Sequence, residues 1–520
     1  MVCRATICRL GWLQRKQGTP CRKVSTVSLS STDRAELTTS QSKSQAALAW
    51  RASVGSATFG PHNVDPPLVR HSSLVICEAS SRAEILNDEF GAEERAYSNS
   101  AKPCYGCGAL LQMKLPDKAG YVVPEKFKLK RHHRQLGTVL CSRCDKLNNG
   151  AMLNAVAGQA GAPMNAKGLV SPDELRDNLR PLRSKKALVV LVVDTLDFNG
   201  SFMPRVRDLV GSNPILLVCT KYDMLPKGTD PLDVIGWIED RASGRNLSLA
   251  GVLLLSGQTG EGIERAVGTV LSERRGRDVY VLGVANVGKS TFISAFMREM
   301  KQRDMGVRAA ARRLPTASAM PGTTLGVIPI SAFGNTKSKL WDTPGVLIHH
   351  RLSALLKEDE LKQLSPWRKL RPFVPAPLPE DGTGASYQWG AVMRVDVMEA
   401  PQNFRLAFIG PQSARVHTFP GPPSDDALPL PEVGTEGALG AATVAERGGL
   451  EVAREITLEA TGAANVPLAD IVLSGLGGWV TVFATQDRSE ASVVRLRVWA
   501  PRGLEVFLRP PMPVAWNVRV

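Results

Sequence analysis

The chain of 520 residues has no apolar run near the length of about eighteen that a membrane-crossing helix needs. Its longest such run, 187–193, suits one buried strand. No transmembrane helix is expected. Aromatic residues are few, at 6%. Acids are in deficit: 49 Asp and Glu face 64 Lys and Arg, a formal charge of +15. That surplus points to a polyanionic partner, nucleic acid first. Disulfide spacing is missing too. Of nine cysteines, Cys3, Cys8, Cys21, Cys77 and Cys219 fit no framework. A secreted disulfide scaffold is excluded, and a reducing compartment fits.

Part of the charge sits in a separable lead. Residues 1–60 hold nine Lys and Arg against two Asp and Glu, a net +7, so the remainder carries +8. This stretch is rich in Ser, Thr, Arg and Ala, and its first acid is Asp33. The composition reads as an organelle transit peptide, with a disordered basic tail as the alternative. A transit peptide and disordered lead are expected over 1–75.

The rest divides by pattern. Two CxxC pairs bracket a basic insert, which predicts a zinc-finger module over 100–150. Strand-like runs at 186–194, 214–223, 251–256, 278–284 and 339–345 alternate with helical stretches. This predicts a three-layer α/β domain over 165–365, with ligands at the carboxyl ends of its strands. A Pro- and Gly-rich linker at 372–386 follows. Short β-like runs at 391–398, 403–410, 479–485, 493–500 and 504–510 predict a β-rich domain over 385–520. The low-complexity stretch 418–450 reads as a mobile loop.

Five motifs carry chemistry, and their order is unusual. TKYD at 220–223 comes first, then SGQTGEG at 256–262, GVANVGKS at 283–290, PGTT at 321–324 and DTPG at 342–345. GVANVGKS is a phosphate loop. Gly283 and Gly288 let backbone amides, with those of Asn286, Val287 and Thr291, turn toward phosphates. Lys289 would reach the β- and γ-phosphates, and Ser290 would bind magnesium. Asp342 would hold magnesium through water, and the Gly345 amide would meet the γ-phosphate. A switch threonine is expected in PGTT: Thr324 first as the magnesium ligand, Thr323 second. Asp223 can accept from the N1 and N2 hydrogens of guanine, a donor pair that adenine lacks. The Lys221 stem would pack across the base, and the Ser256–Gly257 backbone would meet O6. Thr220 stands where Asn is usual, and a hydroxyl cannot make every bond of an amide. In an ordinary small GTPase the phosphate loop leads. Here the parts are rotated, as in a circularly permuted P-loop GTPase domain.

Cys104, Cys107, Cys141 and Cys144 form CxxC-x33-CxxC. Four thiolates suit a closed, tetrahedral structural zinc; free or redox thiols are the bland alternative. His132 and His133 are unnecessary as ligands. The insert KFKLKRHHR at 126–134 sets an aromatic inside a charge run, which suits an RNA-phosphate contact or a solvated basic hairpin.

On these motifs the chain resembles the YqeH family of circularly permuted GTPases, and above all its plant plastid branch of nitric-oxide-associated proteins. The likeness covers about residues 100–520. It rests also on VDTLDFNGS, TKYDMLPKGTD, PGTTLG, DTPGVLIHHR, WGAVMRVDV, SGLGGW and VFLRP. The TKxD variant is found in the plant branch. The resemblance implies GTP hydrolysis coupled to maturation of the small ribosomal subunit and its rRNA, in chloroplasts or, as in animal relatives, mitochondria. The sequence shows no haem or flavin module that nitric-oxide synthesis would require. Ras-like enzymes place a Gln after the DxxG glycine; here that residue is Val346, which cannot orient water. In related cation-dependent GTPases an Asn in the position of Asn286 ligates potassium beside the phosphates; otherwise Asn286 only caps the loop. The expected catalytic set is Asn286, Lys289, Thr324 and Gly345, with GTP or GDP, magnesium, zinc and potassium as cofactors. His349 and His350 read as solvated loop residues or as contacts to water or RNA. The alternatives are an RNA-binding scaffold with little hydrolysis and, more remotely, a redox enzyme.

Overall fold

The computed structural model describes residues 102–148, 172–310, 324–334, 337–376, 384–401, 403–421, 428–460, 466–484 and 493–516. The expected lead over 1–75 and Thr323 lie outside them. Among the described residues no helix is long and apolar enough to cross a membrane.

The first described segment builds a small core of its own. Helices α1 (Pro124–His132) and α2 (Ser142–Asn148) flank it. Leu111, Val122, Phe127, Leu136 and Val139 are buried there with Cys104, Cys107, Cys141 and Cys144. The basic insert is therefore a helix, not a hairpin. Pro124 at its first turn supplies a preset φ where no hydrogen-bond donor is needed. Phe127, the aromatic inside the charge run, faces this core, so it is unavailable for stacking on a base.

A six-stranded sheet follows, in the order β3-β2-β1-β4-β6-β5. Its strands are β1 (Ala187–Asp194), β2 (Ile215–Thr220), β3 (Gly251–Leu254), β4 (Asp278–Leu282), β5 (Ile328–Ile330) and β6 (Leu340–Asp342). All neighbours run parallel except β5, which is antiparallel to β6. All eight residues of β1, ALVVLVVD, are buried. A strand with no polar face needs cover on both sides. Helices α3 (Pro231–Ser243), α4 (Ile263–Arg274) and α5 (Lys289–Arg303) add buried stripes to the same core. Ile263, Ala266, Val267 and Val270 make the α4 stripe at helical spacing.

Among the described residues nine further strands follow, all paired antiparallel. These are β7 (Ala385–Trp389), β8 (Met393–Glu399), β9 (Arg405–Ile409), β10 (Val416–Pro420), β11 (Leu450–Glu459), β12 (Pro467–Leu473), β13 (Trp479–Phe483), β14 (Val493–Pro501) and β15 (Val506–Arg509). They form sheets of order β10-β7-β8-β14-β11 and β15-β12-β13-β9, which share one buried cluster. The expected mobile loop at 418–450 is a misreading at both ends and in the middle. β10 runs to Pro420, β11 starts at Leu450, and α6 (Ala441–Glu446) lies between. Leu439, Ala441 and Val444 are buried there, so a few apolar side chains anchor a stretch of simple composition.

The C-terminal sheets grip the first sheet at several points. Val472, Trp479, Met512 and Val514 belong to its core. The Leu352 N–H donates to the Ser474 carbonyl at 2.7 Å.

Candidate active site

The motifs meet at the carboxyl ends of the parallel strands. β2 ends at Thr220, and Lys221 turns the chain with a left-handed φ of 60°. Asp223 follows and is buried. One cleft is lined by Thr220, Lys221 and Asp223 from the first motif, Ser256 and Gly257 from the second, and Gly288 and Thr291 from the third. The cleft is open to solvent, and Gln258, Met224, Ser365 and Pro366 complete its wall. A Cβ on Gly257 would lie 2.8 Å from Thr291 Cγ2, so the second motif sits directly against the start of α5.

The Thr220 hydroxyl donates to the Val287 carbonyl at 2.6 Å, with the Val193 carbonyl at 3.1 Å. It ties the first motif to the phosphate loop. Lys221 Nζ meets Asp194 Oδ2 at 2.5 Å, which holds the lysine stem across the cleft.

The phosphate loop leaves β4 and opens α5. A Cβ on Gly283 would lie 2.5 Å from the Val192 carbonyl, so only glycine fits. Asn286 takes φ 63°, a left-handed conformation that Asn tolerates better than most residues. Gly288, at φ 91°, precedes the helix. Lys289 Nζ donates back to the Val284 carbonyl at 2.8 Å. Burial pushes the Lys289 ammonium down to about 8, against the pull of Asp342. Burial likewise pushes Asp342 up to about 6, against Lys289. Both groups would be relieved by a bound anion and cation.

Thr324 Oγ1 donates to Asp342 Oδ2 at 3.1 Å. Asp342 Oδ1 is buried, and among the described residues nothing bonds to it. Hydroxyl and carboxylate oxygens with a lone pair unmet are the donor set that suits a hard cation such as magnesium. Ser290, the other expected ligand, begins α5 beside Lys289. A Cβ on Gly345 would fall 3.0 Å from Lys289 Nζ and 2.9 Å from Ala285 Cα, so the switch glycine lies flat on the loop. Val346 pairs with Val284 and is buried in the main core.

The four cysteine sulfurs lie within 4.8 Å of one another, and all four side chains are fully buried. Cys107 and Cys141 Sγ are 3.9 Å apart. A tetrahedral zinc thiolate site has an edge of about 3.8 Å, so the residues fit that ion. The histidines at 132 and 133 stand outside the cluster. The knuckle also touches the switch segment. The Cys107 carbonyl accepts from the Leu325 N–H at 2.6 Å and the Gly326 N–H at 3.1 Å.

Residues 278–366 match the family model described as a 50S ribosome-binding GTPase. NO-associated protein 1, chloroplastic/mitochondrial, of Arabidopsis thaliana is 39% identical over 81% of this chain and 78% of its own length. YqeH of Bacillus subtilis is 30% identical over 78% of this chain and 98% of its own. The chain belongs to the YqeH-type family of circularly permuted GTPases. A rice member, 42% identical over 80% of this chain and 78% of its own length, bears a name proposing it as a nitric oxide synthase. Among solved structures, GNP-bound YlqF from T. maritima matches with a TM-score of 0.22 and 17% identity, over 36% of this chain and 61% of that one. At that score the likeness carries no weight.

Reading the motifs missed three residues that the fold brings to the site. Asp194 holds Lys221. Asp197 holds Arg351, whose guanidinium reaches the phosphate loop. The signal was available: Asp194 ends a wholly apolar strand, where ligand-facing groups collect. His350 and Glu505 pair at 3.0 Å on the surface, and His349 is exposed.

The cysteine site yields one expectation. Purified protein should carry about one zinc per chain. Cys141→Ser should lose the metal and the hydrogen-exchange protection of 102–148. The cleft takes none of its lining from that segment and should still bind nucleotide. Full protection without metal would rule out a structural zinc.

Proposed function

We propose that this protein binds and hydrolyses GTP with magnesium, and that it serves assembly of the small ribosomal subunit in an organelle by contacting its rRNA. The carrying observation is the convergence of Asp223, the 283–290 loop and the Thr324–Asp342 pair at one end of the parallel sheet. In this reading 100–150 is a zinc module, 165–365 the G domain and 385–520 an RNA- and ribosome-binding domain. Asp223 reads guanine, Lys221 covers it, and the Ser256–Gly257 backbone meets O6. Amides of 283–291 and Lys289 hold the phosphates. Ser290, Thr324 and Asp342 hold magnesium, with Thr323 the second choice of switch threonine, and the Gly345 amide meets the γ-phosphate.

The compartment proposed is the chloroplast, with the mitochondrion as alternative. The basic, acid-poor lead over 1–60 supports an organelle address. The formal charge of +15 and the exposed Lys126, Lys128 and Arg134 on and beside α1 support contact with RNA phosphates. The buried Val346 favours a second reading, an RNA-binding scaffold in which nucleotide sets conformation and hydrolysis is slow. A pull-down tests the ribosomal part. Tagged protein with a non-hydrolysable GTP analogue should retain small subunits of organelle ribosomes, and GDP should release them. Equal retention with both nucleotides would remove the switch.

The base pocket is tested by hydrogen-bond polarity. Asp223→Asn presents a donor to a donor and should weaken GTP binding by about 30- to 1,000-fold. Xanthine nucleotide, with an oxygen at position 2, should bind the variant better than the wild type. Unchanged GTP affinity would take Asp223 out of the site.

Catalysis is tested by the cation. With Val346 unable to orient water, a potassium ion held by Asn286 would oppose charge that develops in transfer. Turnover should be slower in sodium than in potassium at matched ionic strength. Asn286→Ala should erase that contrast while Lys289 and the loop amides keep nucleotide bound. Equal wild-type rates in the two salts would leave Asn286 as a loop cap.

A further inference from the structure

Arg351 is a charge that the family motifs leave without a task. It lies six residues beyond Gly345 and is buried. Each of its three guanidinium nitrogens donates a hydrogen bond. Nε and Nη2 donate to Asp197 Oδ2 at 3.2 and 2.8 Å, and Nη1 donates to the Ala285 carbonyl at 2.9 Å. Ala285 belongs to the phosphate loop. An arginine held this way cannot swing out as a finger, because leaving would strand the Asp197 carboxylate in the core.

The geometry of one peptide gives the contact its meaning. The described residues contain no cis bond, so the Ala285 carbonyl and the Asn286 N–H point in opposite directions. Arg351 draws the carbonyl to the buried side. The N–H is thereby turned to the open side of the loop, and among the described residues nothing accepts from it. Asn286 holds a left-handed φ of 63°, so the peptide sits in a conformation that needs outside support. A flip would present a carbonyl lone pair to an anion.

We infer that Arg351 is a positioning residue for phosphoryl transfer: it fixes the Ala285–Asn286 peptide so that the Asn286 N–H meets the transferring end of the nucleotide's phosphate chain. This rests on the reading of the cleft as a GTP-hydrolysing site. The support behind Arg351 is built from three parts of the chain. Asp197 follows the end of β1. The Gly475 N–H, from the turn after β12, donates to the same Asp197 Oδ2 at 3.0 Å. The neighbouring Leu352 N–H donates to Ser474 O at 2.7 Å. No side chain fits at Gly200, where a Cβ would lie 2.6 Å from Asp197 Oδ1 and 2.5 Å from Ser474 Oγ. The turn of the C-terminal sheets thus sets where the guanidinium stands.

Two variants of the full chain test this beside the wild type. Arg351→Lys keeps the charge opposite Asp197 but loses the fork that also reaches Ala285. The double variant Arg351→Met with Asp197→Asn removes both charges together, so none is left stranded, and keeps an oxygen to accept from the Gly475 N–H. GTP turnover gives kcat and KM, a fluorescent GDP analogue gives affinity, and thermal unfolding reports the fold. A misplaced catalytic donor costs on the order of 100-fold, so kcat should fall by about that factor in both variants. KM should move far less than kcat. GDP affinity and the melting temperature of the double variant should stay near wild type, because Lys289 and the later loop amides still hold the β-phosphate. Wild-type kcat in both variants would overturn the inference. So would a loss of kcat matched by equal losses of GDP affinity and melting temperature, which would make Arg351 structural. A wild type that turns over no GTP is a different result, and it removes the proposed function along with the role of Arg351.

Discussion

A charge buried at the end of a strand must find an opposite charge or a ligand, and the nucleotide half of this chain is arranged around that need. Asp194 ends β1 and Asp342 ends β6; both are buried, as are Asp197 and Lys289. None of them is solvated by water in the ordinary way. Lys221 answers Asp194 and Arg351 answers Asp197. Lys289 and Asp342 answer each other only in part, since burial still holds the lysine at about 8 and the aspartate at about 6. Among the described residues Asp342 Oδ1 stays unmet, as does Asp197 Oδ1, whose Oδ2 takes Arg351. Lys289 and Asp342 are the pair that an anion and a cation would complete. The Lys221–Asp194 and Arg351–Asp197 pairs bolt loops to strand ends. The same electrostatic demand therefore makes the scaffold rigid and leaves its ligand positions open.

The permuted order matters for what lies on either side of the switch segments. Strand order in space depends on pairing and burial, not on which strand the chain meets first. The β3-β2-β1-β4-β6-β5 sheet can therefore bring TKYD beside the phosphate loop although TKYD precedes it. Chain order does decide what the switch residues are tied to. The segment after Thr324 hangs by two hydrogen bonds from the Cys107 knuckle. Gly108 and Gly326 meet so closely that a Cβ on Gly108 would sit 2.9 Å from the Gly326 carbonyl. The segment after Gly345 runs into Arg351 and Leu352, which are bonded to the 474–475 turn. Each candidate switch is thus braced against a different flanking module. A displacement at either one has a short, hydrogen-bonded path outward.

Much of this was legible in the sequence because it rests on short-range chemistry. All five expected strands of the parallel sheet formed, since runs such as ALVVLVVD have no polar face to offer water. The four-cysteine cluster needed only spacing. What escaped was decided by partners far away in the chain. The 126–134 insert read as an RNA-phosphate contact or a solvated hairpin, yet it is a helix whose Phe127 fills the core under the cysteines. β11, LEVAREITLE, carries charges along most of its length because it is a sheet edge with much of its surface in water, so it gave no apolar run to find. Strands β7 and β12 were passed over for a related reason: each carries a buried polar residue, Gln388 and Asp470, that breaks its apolar pattern. Asp470 is met by Thr481 at 2.6 Å and by Arg509 at 3.3 Å, partners that the sequence does not place beside it. Strand β10 is largely exposed and offered no apolar run.

Thr220 shows how far a single departure from a motif can be understood once the fold is in view. Taken alone, a hydroxyl in place of the usual amide weakens the base-reading motif. In place, the hydroxyl spends its one hydrogen on a carbonyl of the phosphate loop, Val287, while the Val193 carbonyl stands close by. An amide would offer two hydrogens and an acceptor to the same corner. Here the hydroxyl's single hydrogen goes to the Val287 carbonyl, and that one bond joins the two motifs. What the substitution preserves is the link between the TKYD segment and the 283–290 loop. On the proposed reading of the cleft, that link would tie the base end of a nucleotide to its phosphate end.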